Sequence, residues 1–211
     1  MVFGCAEPQE LYPDWDRDFG REASLELEIG PGRGAFALDH AARHPEVNLV
    51  AIETRRSDCE LIRARASRRG LGNLIVLQGD AKLLLPRVFP PQSLAGLHVQ
   101  FPDPWWKARH HKRRMVDVDF AARMRGLLAP GAVVDFRTDV QAYAEEGEQT
   151  WIEAGFEKLP DEPPEVLSTR ERRYQVTGQQ VFRGRFRNPA SEIRSVQGGR
   201  TGREWRDVRR K

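Results

Sequence analysis

Cysteine is scarce: the 211-residue chain carries two, Cys5 and Cys59. Two isolated thiols make neither a disulfide framework nor a zinc-finger spacing, and such usage points to a reducing, cytoplasmic home. No apolar run approaches the roughly 18 residues that a membrane span needs, so no membrane partner is expected. The first residues lack a basic start followed by a long apolar stretch, which argues against a secretory signal. Internal repeats and low-complexity tracts are missing too. His110 and His111 are adjacent, so their side chains diverge, and no cysteine or carboxylate stands at ligand spacing nearby; no metal is expected.

What is present is a core and an uneven charge. The chain is 39% hydrophobic and 31% charged, with a formal net charge of only +3. Positive charge clusters at 107–114 and again near the C-terminus, and clustering matters more than the total for steering nucleic acid. The length suits one domain, expected over 1–187, followed by a basic flexible tail over 188–211.

Apolar strand-like runs alternate with amphipathic stretches. Strands are predicted at 25–29, 48–53, 74–78, 95–101 and 132–138, and helices at 35–44, 57–69, 82–88, 118–127 and 140–154. Ser57 with Glu60 three residues on fits a capping box. This βα alternation predicts an α/β fold, a mostly parallel sheet with helices on both faces. Residues 169–187 hold two short stretches around Gly178, read as an antiparallel hairpin closing one sheet edge.

Glu28-Ile29-Gly30-Pro31-Gly32-Arg33-Gly34 leaves the first strand and opens the first long helix. Its G-x-G-x-G spacing differs from the G-x-G-x-x-G that cradles a pyrophosphate at a helix N-terminus. A carboxylate at Glu28 would repel a pyrophosphate but suits an ammonium, which favours S-adenosylmethionine over a dinucleotide. Glu53, ending the second strand, is placed to grip ribose hydroxyls. Asp80, after the third, is placed to accept from an adenine amino group. Each acid alone is a common helix cap or surface charge; three at successive strand ends mark the ligand-binding edge of such a sheet.

The fourth strand runs into Gln100-Phe101-Pro102-Asp103-Pro104-Trp105-Trp106-Lys107. Two prolines restrict the backbone around Asp103 and aim its carboxylate at the cofactor cleft. Of Trp105 and Trp106, one is expected to stack on a base and the other to seal the core. Arg109, Lys112, Arg113 and Arg114 suit phosphate contact.

Phe101-Pro102-Asp103-Pro104-Trp105, Lys107, Arg109-His110 and Lys112-Arg113-Arg114, together with Thr138-Asp139 and Tyr143, resemble the bacterial tRNA (guanine-N7-)-methyltransferase family over residues 26–187. The resemblance implies a seven-stranded Rossmann-like methyltransferase fold. It also implies methyl transfer from S-adenosylmethionine to N7 of a guanine in the tRNA variable loop. By the family pattern Glu28, Gly30, Gly32, Glu53, Asp80 and Asp103 line the cofactor site, and Asp103 is the catalytic residue. Lys107 and Asp139 contact the guanosine, with Thr169 and Glu171 standing for the family's Thr-x-x-Glu through a one-residue deletion. Two other readings stay open: a methyltransferase acting on another substrate, and an RNA-binding module on a decayed methyltransferase fold.

Overall fold

The computed structural model describes residues 12–190. Its strands are β1 (Ser24–Ile29), β2 (Val47–Glu53), β3 (Leu74–Gln78), β4 (Leu94–Gln100), β5 (Leu128–Thr138), β6 (Glu157–Leu159) and β7 (Phe182–Arg187). They form one sheet in the order β3-β2-β1-β4-β5-β7-β6. β1 through β5 pair in parallel, and β7 runs antiparallel to both β5 and β6. Helices α1 (Trp15–Phe19), α2 (Ala35–Arg43), α3 (Arg56–Arg68), α4 (Ala81–Val88), α5 (Val118–Leu127), α6 (Gln141–Glu153) and α7 (Thr169–Thr177) complete the described chain, with a short 3-10 helix at Ala108–Arg113. The expected Rossmann-like methyltransferase architecture is borne out, antiparallel C-terminal strands included.

The two faces of the sheet differ. Leu25, Leu27 and Ile29 of β1 bury with Leu97, Val99, Val134, Phe136 and Phe186 in the main core, under Phe120, Tyr143 and Trp151. The alternate residues of β2, Leu49 and Ala51, pack with Ile62, Cys59 and Val76 in a second cluster between the sheet and α2 and α3. β2 is therefore apolar on both sides, as a central parallel strand must be. On that second side, however, β1, β4, β5 and β7 carry Glu26, Glu28, His98, Asp135, Arg137, Arg183 and Arg185, a polar stripe across the middle of the molecule.

Three local expectations change. α3 starts at Arg56, with Arg55 as N-cap and no side-chain cap bond; Ser57 thus sits inside the first turn, where its hydroxyl cannot cap. The segment before Gly178 is a helix rather than the first arm of a hairpin. Ser168 accepts from the Glu171 N–H and the Glu171 carboxylate reaches back to the Ser168 N–H, a full capping box, and Gly178 closes α7 in the left-handed conformation. β7 takes β6 as its antiparallel neighbour instead. Asn188, where the composition shifts, is buried and donates to Leu128 O at 2.7 Å, so the packed fold extends through it. The basic stretch from residue 191 onward lies outside the described residues, as does Cys5.

Candidate active site

The carboxyl ends of β1, β2, β3 and β4 lie side by side, which brings Glu28, Glu53, Asp80 and Asp103 to one edge of the sheet. Gly30, Gly32 and Gly34 all adopt positive φ (70°, 54° and 76°), which only glycine tolerates without cost. At Gly34 the reason is also contact: a Cβ there would stand 2.5 Å from Ile62 Cγ1. At Gly30 and Gly32 nothing among the described residues lies within 4 Å of that position, so the loop presents bare backbone to open space.

Glu53 is organised by this loop. Its Oε2 accepts from Gly32 N at 3.0 Å, and Oε1 accepts from Arg55 N at 2.8 Å and the Thr54 hydroxyl at 3.0 Å. Oε1 is thus filled, while Oε2 keeps an acceptor site for a hydroxyl. Glu28 is only 2% exposed, and its Oε2 is buried without a hydrogen-bond partner among the described residues. Burial, with the Glu53 charge adding to it, pushes the Glu28 carboxyl up to about 8. A buried acceptor lacking a donor costs free energy until a ligand supplies one. An ammonium beside the glycine loop would do so, and the donor set fits S-adenosylmethionine. Asp80 is exposed, and its Oδ1 also caps α4 by accepting from Lys82 N at 2.8 Å.

Asp103 is exposed in a loop held at several points. Phe101 and Trp105, two residues to either side, have φ of 49° and 46°. Left-handed geometry in non-glycine residues costs about 1–2 kcal/mol each and persists only where surrounding contacts enforce it. Those contacts are visible. Phe101 N donates to Arg137 O at 2.7 Å, and Arg114 Nε donates to Pro104 O at 2.8 Å. The Trp105 ring meets His110 edge-on at 5.9 Å and carries the Arg113 guanidinium 5.0 Å from its centroid. Trp105 is thus the structural tryptophan. Trp106 is 74% exposed beside exposed Lys107, a free stacking surface next to the carboxylate.

Asp139 follows β5, ahead of α6, and is bound by side chains of α7. Its Oδ2 accepts from the Tyr174 hydroxyl and, at 3.5 Å, from Arg170. Tyr174 and Arg170 in turn flank the Phe101 ring, edge-on at 6.2 Å and over the face at 5.2 Å. Asp139 and the Asp103 loop are therefore joined by one small cluster.

Two residues expected to contact ligand are bonded inside the protein. Arg114 is only 5% exposed; besides Pro104 it binds Glu146 and lies over the Tyr143 ring at 4.7 Å. Its charge is paired inside the protein, while Arg109 and Arg113 on the same segment are exposed. The Lys112 side chain lies outside the described part. Glu171 is 1% exposed, with Oε2 accepting from Arg137 at 2.9 Å and Ser168 N at 3.0 Å, and Oε1 from Arg183 at 3.1 Å. It braces α7 against β5 and β7. Ser168 stands three residues before Glu171 and bonds it.

Gln100 escaped sequence reasoning. It ends β4 directly before Phe101, is buried, and has both amide atoms without partners among the described residues. A polar side chain at the last position of a central strand, beside a proline-rich turn, was the available signal.

Residues 22–183 match the family described as "Putative methyltransferase". A tRNA (guanine-N(7)-)-methyltransferase of Anaeromyxobacter dehalogenans is 52% identical, the match covering 88% of this chain and 98% of that one. One of Myxococcus xanthus is 46% identical over 86% and 92%. Among solved structures, the 16S rRNA methyltransferase KamB superposes with a TM-score of 0.61 at 21% identity, covering 83% of this chain and 93% of that one. The aminoglycoside resistance methyltransferase NpmB1 gives 0.59 at 18%, covering 82% and 91%. At such identities these two speak for the fold alone.

Proposed function

The chain belongs to the tRNA (guanine-N7-)-methyltransferase family, and from that premise we propose that it transfers the methyl group of S-adenosylmethionine to N7 of a guanine in the tRNA variable loop. The observation that carries the site assignment is the Asp103 loop: an exposed carboxylate between two left-handed residues, beside exposed Trp106 and Lys107, at the end of the strand next to the glycine loop.

When bound, S-adenosylmethionine supplies an electrophilic sulfonium methyl. Guanine N7 carries a lone pair and no proton, so no base is needed to create the nucleophile. The N7 lone pair forms the new N–C bond as the S–C bond breaks, and that bond's electron pair returns to sulfur. Positive charge moves from sulfur to the guanine ring. The protein's work is orientation and stabilisation of the growing ring charge. Asp103 and Asp139 accept from the guanine N1–H and exocyclic amine, which holds the ring and selects it over adenine, whose edge lacks that donor pair. Lys107 serves O6 or a phosphate. Glu28, Gly30, Gly32, Glu53 and Asp80 hold the cofactor. Thr169 and Glu171 act on the guanosine through the placement of α7 and Asp139 rather than by touching it. Arg109, Lys112 and Arg113 run along the tRNA backbone. The same reading puts the protein in the cytoplasm with its tRNA; no helix among the described residues is long and apolar enough to cross a membrane.

Methyl transfer from labelled S-adenosylmethionine to unmodified tRNA transcripts, with the modified base identified, tests this directly. N7-methylguanosine in the variable loop, lost with Asp103→Ala, is the expected result. Label at another atom, or no transfer by a protein that binds the cofactor, would overturn it.

A further inference from the structure

The polar stripe on the second face of the sheet opens into a cavity of about 360 Å³, lined by Glu26, His40, His98, Asp135 and the 161–166 loop among others. It adjoins the carboxyl-end edge that carries the methyl-transfer residues but reaches deeper under the sheet: Glu26 is in the middle of β1, and His98, two residues before the end of β4, is the register partner of Glu28. Within it, one carboxylate oxygen, Glu26 Oε2, stands 2.8 Å from His40 Nε2 and 2.9 Å from His98 Nε2. The three donor atoms lie within 4.8 Å of one another.

We propose that Glu26, His40 and His98 form a site for a divalent transition-metal ion of the zinc class. Two imidazoles and a carboxylate are the donor set that zinc takes and that magnesium and calcium do not favour. The ligands come from three elements: β1, α2 and β4. Gly96 of β4 pairs with Glu26 and makes the space for it; a Cβ there would stand 3.2 Å from Glu26 Cγ and Cδ. Behind His98 lies Asp135, its Oδ2 3.8 Å from His98 Nδ1. Asp135 is bonded to Arg137, and His98 Nδ1 is buried without a hydrogen-bond partner among the described residues; the nearby carboxylate charge still favours the proton on Nδ1 and so presents the Nε2 lone pair to the ion. The cavity gives the ion an entry path and leaves room for a water as fourth ligand. Tetrahedral zinc spaces its donor atoms about 3.3 Å apart, so the two Glu26 contacts need to open by about half an ångström, and the two imidazole nitrogens to settle at that same spacing, as the ion replaces the proton between each ring and Glu26.

The ion would clamp α2 to β1 and β4. Because α2 begins at Ala35, directly after Gly34, the clamp fixes the helix that carries the cofactor loop. The site does not depend on the tRNA reading, and its test needs no RNA.

Tag-free protein, stripped with chelator, would be titrated with Co²⁺ and followed by visible absorption, then back-titrated with Zn²⁺, with stoichiometry taken from calorimetry. The expected result is one equivalent, d–d bands of a four- or five-coordinate N/O site, displacement by Zn²⁺, and a raised melting temperature. Asp135→Asn, which leaves all three ligands in place and removes a nearby negative charge, should weaken binding, and His98→Gln should abolish the bands. Glu26→Gln, close in shape, guards against a folding defect in the histidine variant and should also remove the site. Absence of saturable binding to the native chain, or unchanged binding in Glu26→Gln and His98→Gln, would overturn the proposal.

Discussion

Arg137 and Glu171 are bonded at 2.9 Å with both side chains buried. The pair joins the end of β5 to the first turn of α7, one residue before Thr138 and two before Asp139. Arg137 also donates to Val166 O at 2.9 Å and binds Asp135, while Glu171 holds Arg183 and caps Ser168. Removing one partner of such a network strands the other's charge. Glu171→Gln is therefore expected to cost about 3–5 kcal/mol, read by urea denaturation, and Ser168→Ala about 1 kcal/mol through the lost cap. A Glu171→Gln protein of native stability with a raised KM for tRNA alone would instead restore direct guanosine contact.

Trp106 is 74% exposed and has little packing to lose. Trp106→Ala should leave the melting temperature unchanged and weaken tRNA binding by about 1–3 kcal/mol, the worth of one stacked base. Trp105→Ala should do the reverse first, lowering stability, because the ring holds Arg113 and His110. Filter binding beside thermal melting separates the two.

The two arginines of the basic run should part company under salt. Arg109 is exposed and Arg114 is 5% exposed. Arg109→Gln is expected to lower the slope of log K for tRNA against log salt by about 1 with stability intact. Arg114→Gln should leave that slope as it is and lower the melting temperature, since Pro104, Glu146 and the Tyr143 ring lose their cation. Equal salt slopes for both variants would return Arg114 to the RNA surface.

Gln100 carries an unpartnered buried amide, which costs about 1–3 kcal/mol while it stays unsatisfied. Replacing it by Leu should hold or raise stability and at the same time weaken cofactor or guanine binding, measured by calorimetry with S-adenosylmethionine and by KM for tRNA. Unchanged affinity for both would show that the amide serves no ligand.

What the amino-acid order determines here is whatever depends on near neighbours. Alternation of Leu25, Leu27 and Ile29 with Glu26 and Glu28 sets β1; the continuous run Leu49–Ile52 sets a strand buried on both faces; Gly30, Gly32 and Gly34 set a turn that only positive φ can make. Asp103 between two prolines announces its own rigidity. Those features were readable because their physics is confined to a few residues of backbone.

Tertiary structure decided which polar groups were already spoken for. Nothing in Arg113-Arg114 says that one faces out and the other pairs with Glu146; a partner 32 residues away makes that choice. Ser168 rather than Thr169 proved to be the partner of Glu171 once a helix, not a strand, formed there. Glu26, His40 and His98 show no ligand spacing, His40 standing 14 and His98 72 residues after Glu26. Parallel pairing of β1 with β4 and the packing of α2 bring them to a common point. Charge, unlike hydrophobic period, has no local signature of its partner, because Coulomb and hydrogen-bond energies depend on distance in space and on burial rather than on separation along the chain.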